Sequence, residues 1–167
     1  HGPSDEDPGD YTLLWGEALC QYVLRQTPEA LVIARGPMPF ISGNKATVGY
    51  ISPMTGGPHY SFVGGRGFAA LIDLGLDAIV LAPLTDAGAD ADGNRLPVVH
   101  VTGRAPDLYV GWLLPDGVPT GQRGAYYRLV EEVLDGRPDR GSVFVTGEAA
   151  QHGYRTANLA VEGLYHA

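Results

Sequence analysis

Cysteine is nearly absent from this 167-residue chain: Cys20 stands alone, which excludes an internal disulfide and any metal or iron–sulfur site made only of cysteines. Lysine is as scarce, Lys45 being the single one among 11 basic residues set against 19 acidic ones. The net charge of −8, without a basic block, leaves no clustered-cation surface, so neither nucleic acid nor an anionic membrane is an expected partner. Long hydrophobic runs are missing too: no stretch approaches the roughly 20 apolar residues of a membrane span, and no basic segment followed by an apolar run opens the chain. These absences together suggest a reducing, cytoplasmic setting. Catalytic signatures are also lacking, with no C-x-x-C, H-E-x-x-H, G-x-S-x-G or Walker-type glycine loop in the sequence.

What is present is a 44% hydrophobic chain punctuated by 24 glycines and 13 prolines, enough for one domain with a core. Residues 1–11 have the composition of a frayed acidic tail, and 12–167 are expected to form the domain. A start at His1 rather than methionine suggests that a piece precedes it, and the half-apolar run up to Ala167 suggests truncation of a longer structure. Leu14, Trp15, Ala18, Leu19, Tyr22 and Val23 predict a helix over 12–26, and Ala125, Tyr126, Leu129, Val130, Val133 and Leu134 predict another over 125–135. Short strands are predicted at 30–34, 46–51, 77–82, 98–102, 109–114 and 142–146. More strands than helices, broken by Gly and Pro, predict an α+β fold of two mostly antiparallel sheets with a few short helices.

Ser52 to Gly67 reads as a glycine-dense loop running into a helix over 65–74. Such a junction offers unpaired amides and approachable backbone to an anion, with Arg66 adding charge and Gly64 expected in a left-handed conformation. His59 lies in this loop; His100 falls in a strand pattern, where a packed histidine is the simpler reading, and His152 stands apart. Glu131 and Glu132 are neighbours on a helix and so point apart. Gly65, Gly67 and Ala70 match G-x-G-x-x-A, with Asp86 beyond the next strand, but the long parallel strand a dinucleotide site needs before the first glycine is not evident.

Five blocks in order carry a resemblance: Ala30 to Met38 (ALVIARGPM), Asn44 to Gly57 (NKATVGYISPMTGG), Val63 to Phe68 (VGGRGF), Leu74 to Leu81 (LGLDAIVL), and Val143 to Ala150 with Ala157-Asn-Leu. In this order they resemble the N-terminal domain of tungsten-containing aldehyde:ferredoxin oxidoreductases, over roughly 15–167. The resemblance implies a β-rich domain of two sheets with short helices, cradling a bis-pterin tungsten or molybdenum cofactor with a bridging magnesium ion. It implies that an iron–sulfur cluster and the acid–base groups lie in a remainder of the enzyme or a partner subunit, that ferredoxin accepts the electrons, that aldehydes become carboxylic acids, and that a homodimer is open to it. Carried onto this chain, its phosphate and magnesium contacts fall on Lys45, on Phe62, Gly64 and Gly65, and near Tyr165 and His166. Lys45 stands where the family has an arginine, keeping the charge without the planar fork, Phe62 stands where an asparagine is usual, and the arginine expected around Tyr165 is missing. The isolated chain is then expected to be inactive. The alternative is a degenerate, non-catalytic copy of this domain serving structure or assembly; a nucleotide-binding domain is a third reading, resting on the glycine match alone.

Overall fold

A computed structural model of the chain describes residues 14–37, 45–82, 96–101, 108–113, 122–146, 155–156, 158–162 and 165–166. In chain order the elements are α1 (Gly16–Gln26), β1 (Leu31–Ala34), β2 (Ala46–Ile51), β3 (Pro58–Val63), α2 (Gly67–Asp73), β4 (Ala78–Leu81), β5 (Leu96–Val101), β6 (Leu108–Leu113), α3 (Gln122–Val133), β7 (Phe144–Thr146), β8 (Leu159–Val161) and β9 (Tyr165–His166). A 3-10 turn covers Pro138–Arg140. All paired strands among the described residues are antiparallel.

β3, β2, β1 and β4 form one sheet in that order, and its two faces follow the period-2 alternation of the strands. On one face Val32 and Ala34 pack under Cys20 and Leu24 of α1. On the other, Ile33, Ala46, Val48 and Val63 pack with Leu71 of α2 and with Leu159 and Val161 of β8. β7, β8 and β9 make a second sheet, whose far face presents Val145 and Ala160 to Tyr126 and Leu129 of α3. The layer order is thus α1, four-stranded sheet, three-stranded sheet, α3, with the largest buried cluster between the sheets. β5 and β6 pair as a hairpin, with His100 opposite Tyr109.

The chain is α+β as expected, with specific departures. α1 starts at Gly16, and Trp15 is its extended N-cap at φ −136°. Gly16 takes a left-handed φ of +52° and donates its N–H to the Arg35 carbonyl at 2.8 Å, while the guanidinium carbon of Arg35 lies 4.4 Å from the centre of the Trp15 indole ring. Arg35 also donates from Nε to the Leu76 carbonyl at 3.0 Å and pairs with Asp77 at 2.6 Å, tying the start of α1 to the ends of β1 and β4. Arg35→Ala is expected to lower unfolding stability by about 1–3 kcal/mol, because a part-buried carbonyl loses its donor, while Asp77→Ala costs under about 1 kcal/mol at its exposed position. Urea unfolding of both variants checks this order.

Within 52–67 the glycine-rich loop is confined to two short turns. Ser52 donates its N–H to the Gly57 carbonyl at 2.9 Å, closing a hairpin, and β3 follows, paired with β2 from Ile51↔Pro58 to Ala46↔Val63. The flanking glycines masked an alternating Tyr-Ser-Phe-Val strand. β4, expected to be buried, is an edge strand with Val80 exposed, and β8 and β9 were too short to stand out in sequence. The β3–α2–β4 unit is not a parallel crossover, because β3 and β4 are separated by two strands and run antiparallel to each other, so the dinucleotide-binding arrangement is absent there. The expected acidic tail, the excursion holding Asp86, and His152 lie outside the described residues.

Candidate functional site

Ala46 pairs with Val63, so exposed Lys45 just before β2 and Gly64 just after β3 lie side by side beyond the end of the ladder. Phe62, one step inside, sits opposite Thr47 and is 61% exposed. Tyr165 of β9 pairs with Val161 of β8, and Glu162 directly follows β8. Glu162 reaches across to the Gly65–Arg66 turn, where its Oε1 accepts the main-chain N–H of Arg66. The structure therefore brings Lys45, Phe62, Gly64, Gly65 and the backbone of Tyr165 and His166 toward one end of the two sheets, from three separate stretches of sequence.

The chemistry at that end differs from the sequence reading in one decisive respect. The amide of Arg66, the N-cap of α2, already has an anionic partner within the chain. The Glu162 carboxylate also accepts the Ser142 hydroxyl at 3.1 Å, and its own N–H donates to the Val143 carbonyl at 2.9 Å. Glu162 is thus the residue that sequence reasoning missed; the only signal was a Glu-Gly pair after a short apolar strand. The left-handed glycine of the Gly64–Gly65 pair is Gly65, at φ +91°, and not Gly64 as expected. A Cβ on Gly65 would lie 2.5 Å from Glu162 Oε2, so this glycine serves turn geometry and close approach together. Gly67 likewise abuts the Phe144 ring, 2.9 Å from an added Cβ. Gly65 and Gly67 therefore have a packing explanation, whereas Gly56, at φ +70° with open space around it, serves turn geometry alone. Burial raises the Tyr126 phenol above its ordinary range, with the Glu162 charge adding to the effect.

Other candidates sit elsewhere. The Ser61 hydroxyl and His59 Nε2 are 3.2 Å apart near the hairpin end of β3, where the His59 ring lies 5.2 Å from that of Tyr50. An open groove lined by Glu29, Leu31, Tyr50, Ile51, Thr146 and Leu159 occupies the end of the sandwich remote from Lys45.

Cys20 is fully buried beneath β2, its Sγ donating a weak bond to the Thr47 carbonyl at 3.9 Å. Burial pushes its thiol up to about 11, and Glu17 adds a smaller upward push, so Cys20 is a core side chain and no nucleophile. Because the folded thiol keeps its proton after the unfolded one has lost it, stability falls as pH rises from about 9 to about 11, by up to about 1.4 kcal/mol per unit. Alkaline unfolding of Cys20→Ala should lack this component, and the native thiol should resist labelling at pH 8. Among the described residues there is no group of three or more His, Cys, Asp or Glu side chains able to hold a metal ion, and no helix long and apolar enough to cross a membrane. No family model, curated protein or solved structure matches the chain.

Proposed function

We propose that this chain is the pterin-cradling domain of a tungsten or molybdenum oxidoreductase of the aldehyde:ferredoxin oxidoreductase kind. The remainder of the enzyme or a partner subunit supplies the iron–sulfur cluster, the acid–base groups and the contact with ferredoxin. The observation that supports it is the convergence of Lys45, the Phe62–Gly65 main chain and β9 at one end of the two sheets, the same three segments on which the resemblance puts the phosphate and magnesium contacts. An α+β fold of antiparallel sheets with short helices is compatible with that family's domain.

The residues fit such a cofactor in part. Lys45 is exposed and offers a phosphate one cation, and the contacts expected at Phe62 and Gly64 are main-chain ones that the Phe62 ring does not prevent. The Arg66 amide does not fit a phosphate while Glu162 holds it, so the phosphate contact lies on the Lys45 side of the turn. When bound, the cofactor supplies the two-electron chemistry that turns an aldehyde into a carboxylic acid. This chain binds and orients it.

In a complete enzyme carrying this domain, Lys45→Ala is expected to lower pterin retention, more so at high salt during purification, and Lys45→Arg to keep or raise it. Pterin fluorescence after acid release measures retention. Equal retention in wild type and Lys45→Ala sinks this reading. The second reading, a degenerate domain used for structure or assembly, is favoured by one observation: the carboxylate of Glu162 occupies the amide that a phosphate would seek.

A further inference from the structure

We propose that Phe62, Gly64 and Lys45 form a shelf for a phosphorylated planar heterocycle, the ring stacking on the Phe62 side chain and the phosphate meeting Lys45. The strand register sets this up. Thr47 pairs with Phe62 and Ala46 with Val63, so Lys45 stands opposite Gly64 one step further on, and alternation puts Lys45, Thr47, Phe62 and Gly64 on one face. Diagonal neighbours on such a face are roughly 7–8 Å apart, a span that a sugar-like tether between a ring and a phosphate covers. Gly64 carries no side chain, so the main chain between the cation and the aromatic ring is open to a ligand.

Helix α1 covers this face except at the Lys45 end. A Cβ on Gly16, the first residue of α1, would lie 3.2 Å from Thr47 Oγ1, and a Cβ on Gly49 would lie 2.6 Å from Cys20 Cβ, so the helix runs from Thr47 toward Gly49 and away from Lys45. Tyr60, two residues before Phe62 on the same strand face, packs against the cluster of Cys20 and Leu24. Trp15, ahead of the helix, lies against Arg35 at the end of β1, on the other side of β2 from β3. Phe62 is left 61% exposed beside a cross-strand partner, Thr47, that is only 4% exposed. Lys45 is the chain's single lysine and forms no ion pair among the described residues, whereas Arg35, Arg128, Arg137 and Arg140 are each paired with a carboxylate. The Glu162 carboxylate lies toward the second sheet, held by the Arg66 amide and Ser142. In a chain of net charge −8, an unpaired cation diagonal to an uncovered ring selects an anion carried on a flat group.

A pterin phosphate as the natural ligand rests on the proposed function; the shelf itself does not. The experiment follows the backbone amide NMR shifts of the chain titrated with adenosine 5′-monophosphate, adenosine and ribose 5-phosphate, which carry ring and phosphate together and each alone. The monophosphate should shift the amides of Thr47, Phe62 and Gly64 and bind about fivefold or more tightly than either part. Phe62→Leu should weaken the monophosphate and adenosine alike by about fivefold, and Phe62→Trp should keep or tighten both, because a flat π face is needed and apolar bulk is not enough. Lys45→Ala should weaken the monophosphate by about fivefold, by less at high salt, and leave adenosine within about twofold. Both positions are exposed, so the variants keep the fold, which the dispersion of the remaining amide signals checks. Equal binding of the three probes, wild-type affinity in Phe62→Leu, or no shifts at this end of the sheet overturns the shelf. Broadening at Phe62 that grows with protein concentration and ignores the monophosphate also overturns it, assigning the patch to a second copy of the chain. Monophosphate binding here without pterin retention in the complete enzyme sinks the cofactor reading and leaves the shelf standing.

Discussion

Gly65→Ala lowers the stability of the folded chain by about 2–4 kcal/mol, of which backbone strain at φ +91° accounts for about 1–2 and crowding of the Glu162 carboxylate for the rest. The two contributions are separable. In Gly65→Ala/Glu162→Ala the carboxylate is gone, so the crowding cost disappears and only the strain remains. Urea unfolding of the four members of the cycle should give a favourable coupling of at least about 1 kcal/mol between the two substitutions. Strict additivity would mean that Glu162 does not press on Gly65 in solution. The comparison also distinguishes this glycine from Gly64, whose replacement lacks the left-handed penalty.

Gly49→Ala is expected to be as damaging, at about 2–4 kcal/mol, for a reason deep in the core. A Cβ at that position would lie 2.6 Å from Cys20 Cβ, 3.1 Å from its sulfur and 3.3 Å from Tyr60 Cδ1. Gly49 sits in the middle of β2, directly under α1, so the missing side chain is what lets the helix approach the sheet. Cys20→Ala does not make room, because the nearest atom is the Cβ that alanine retains; the remedy has to be movement of α1, which loosens Leu24 over Val32. Thermal unfolding of Gly49→Ala and Gly49→Ala/Cys20→Ala should show little rescue. Substantial rescue would place the strain on the sulfur instead of on the helix position.

The regular elements were legible in sequence where the pattern was local. Ala46 to Ile51 is bounded as expected, and Tyr126 and Leu129 of the helical stripe do pack against a sheet. These patterns need only neighbours in the chain, because a period of two or of 3.6 is written in adjacent residues. The α+β class followed from their ratio. The scarcity of cysteine and of clustered cations, and what each excludes, is a property of composition that folding cannot change.

Tertiary structure alone decided the rest. The sequence presented Gly65-Arg66-Gly67 as an opening for a ligand; in the fold, Gly65 makes way for Glu162 and Gly67 for the Phe144 ring, partners almost a hundred and almost eighty residues away in the chain. Cys20 looked like an isolated thiol and is a core residue, because its position under Gly49 depends on how closely α1 meets β2. Trp15 had helical spacing yet stands extended before the left-handed Gly16, its ring against Arg35, itself fixed by Leu76 and Asp77. The strands that complete the second sheet, β8 and β9, are three and two residues long and carry no periodic signal; they exist because β7 and the inter-sheet core give them a surface to pair on. What the chain's own neighbours could impose was written locally, and what required two distant segments to compete for one volume was not.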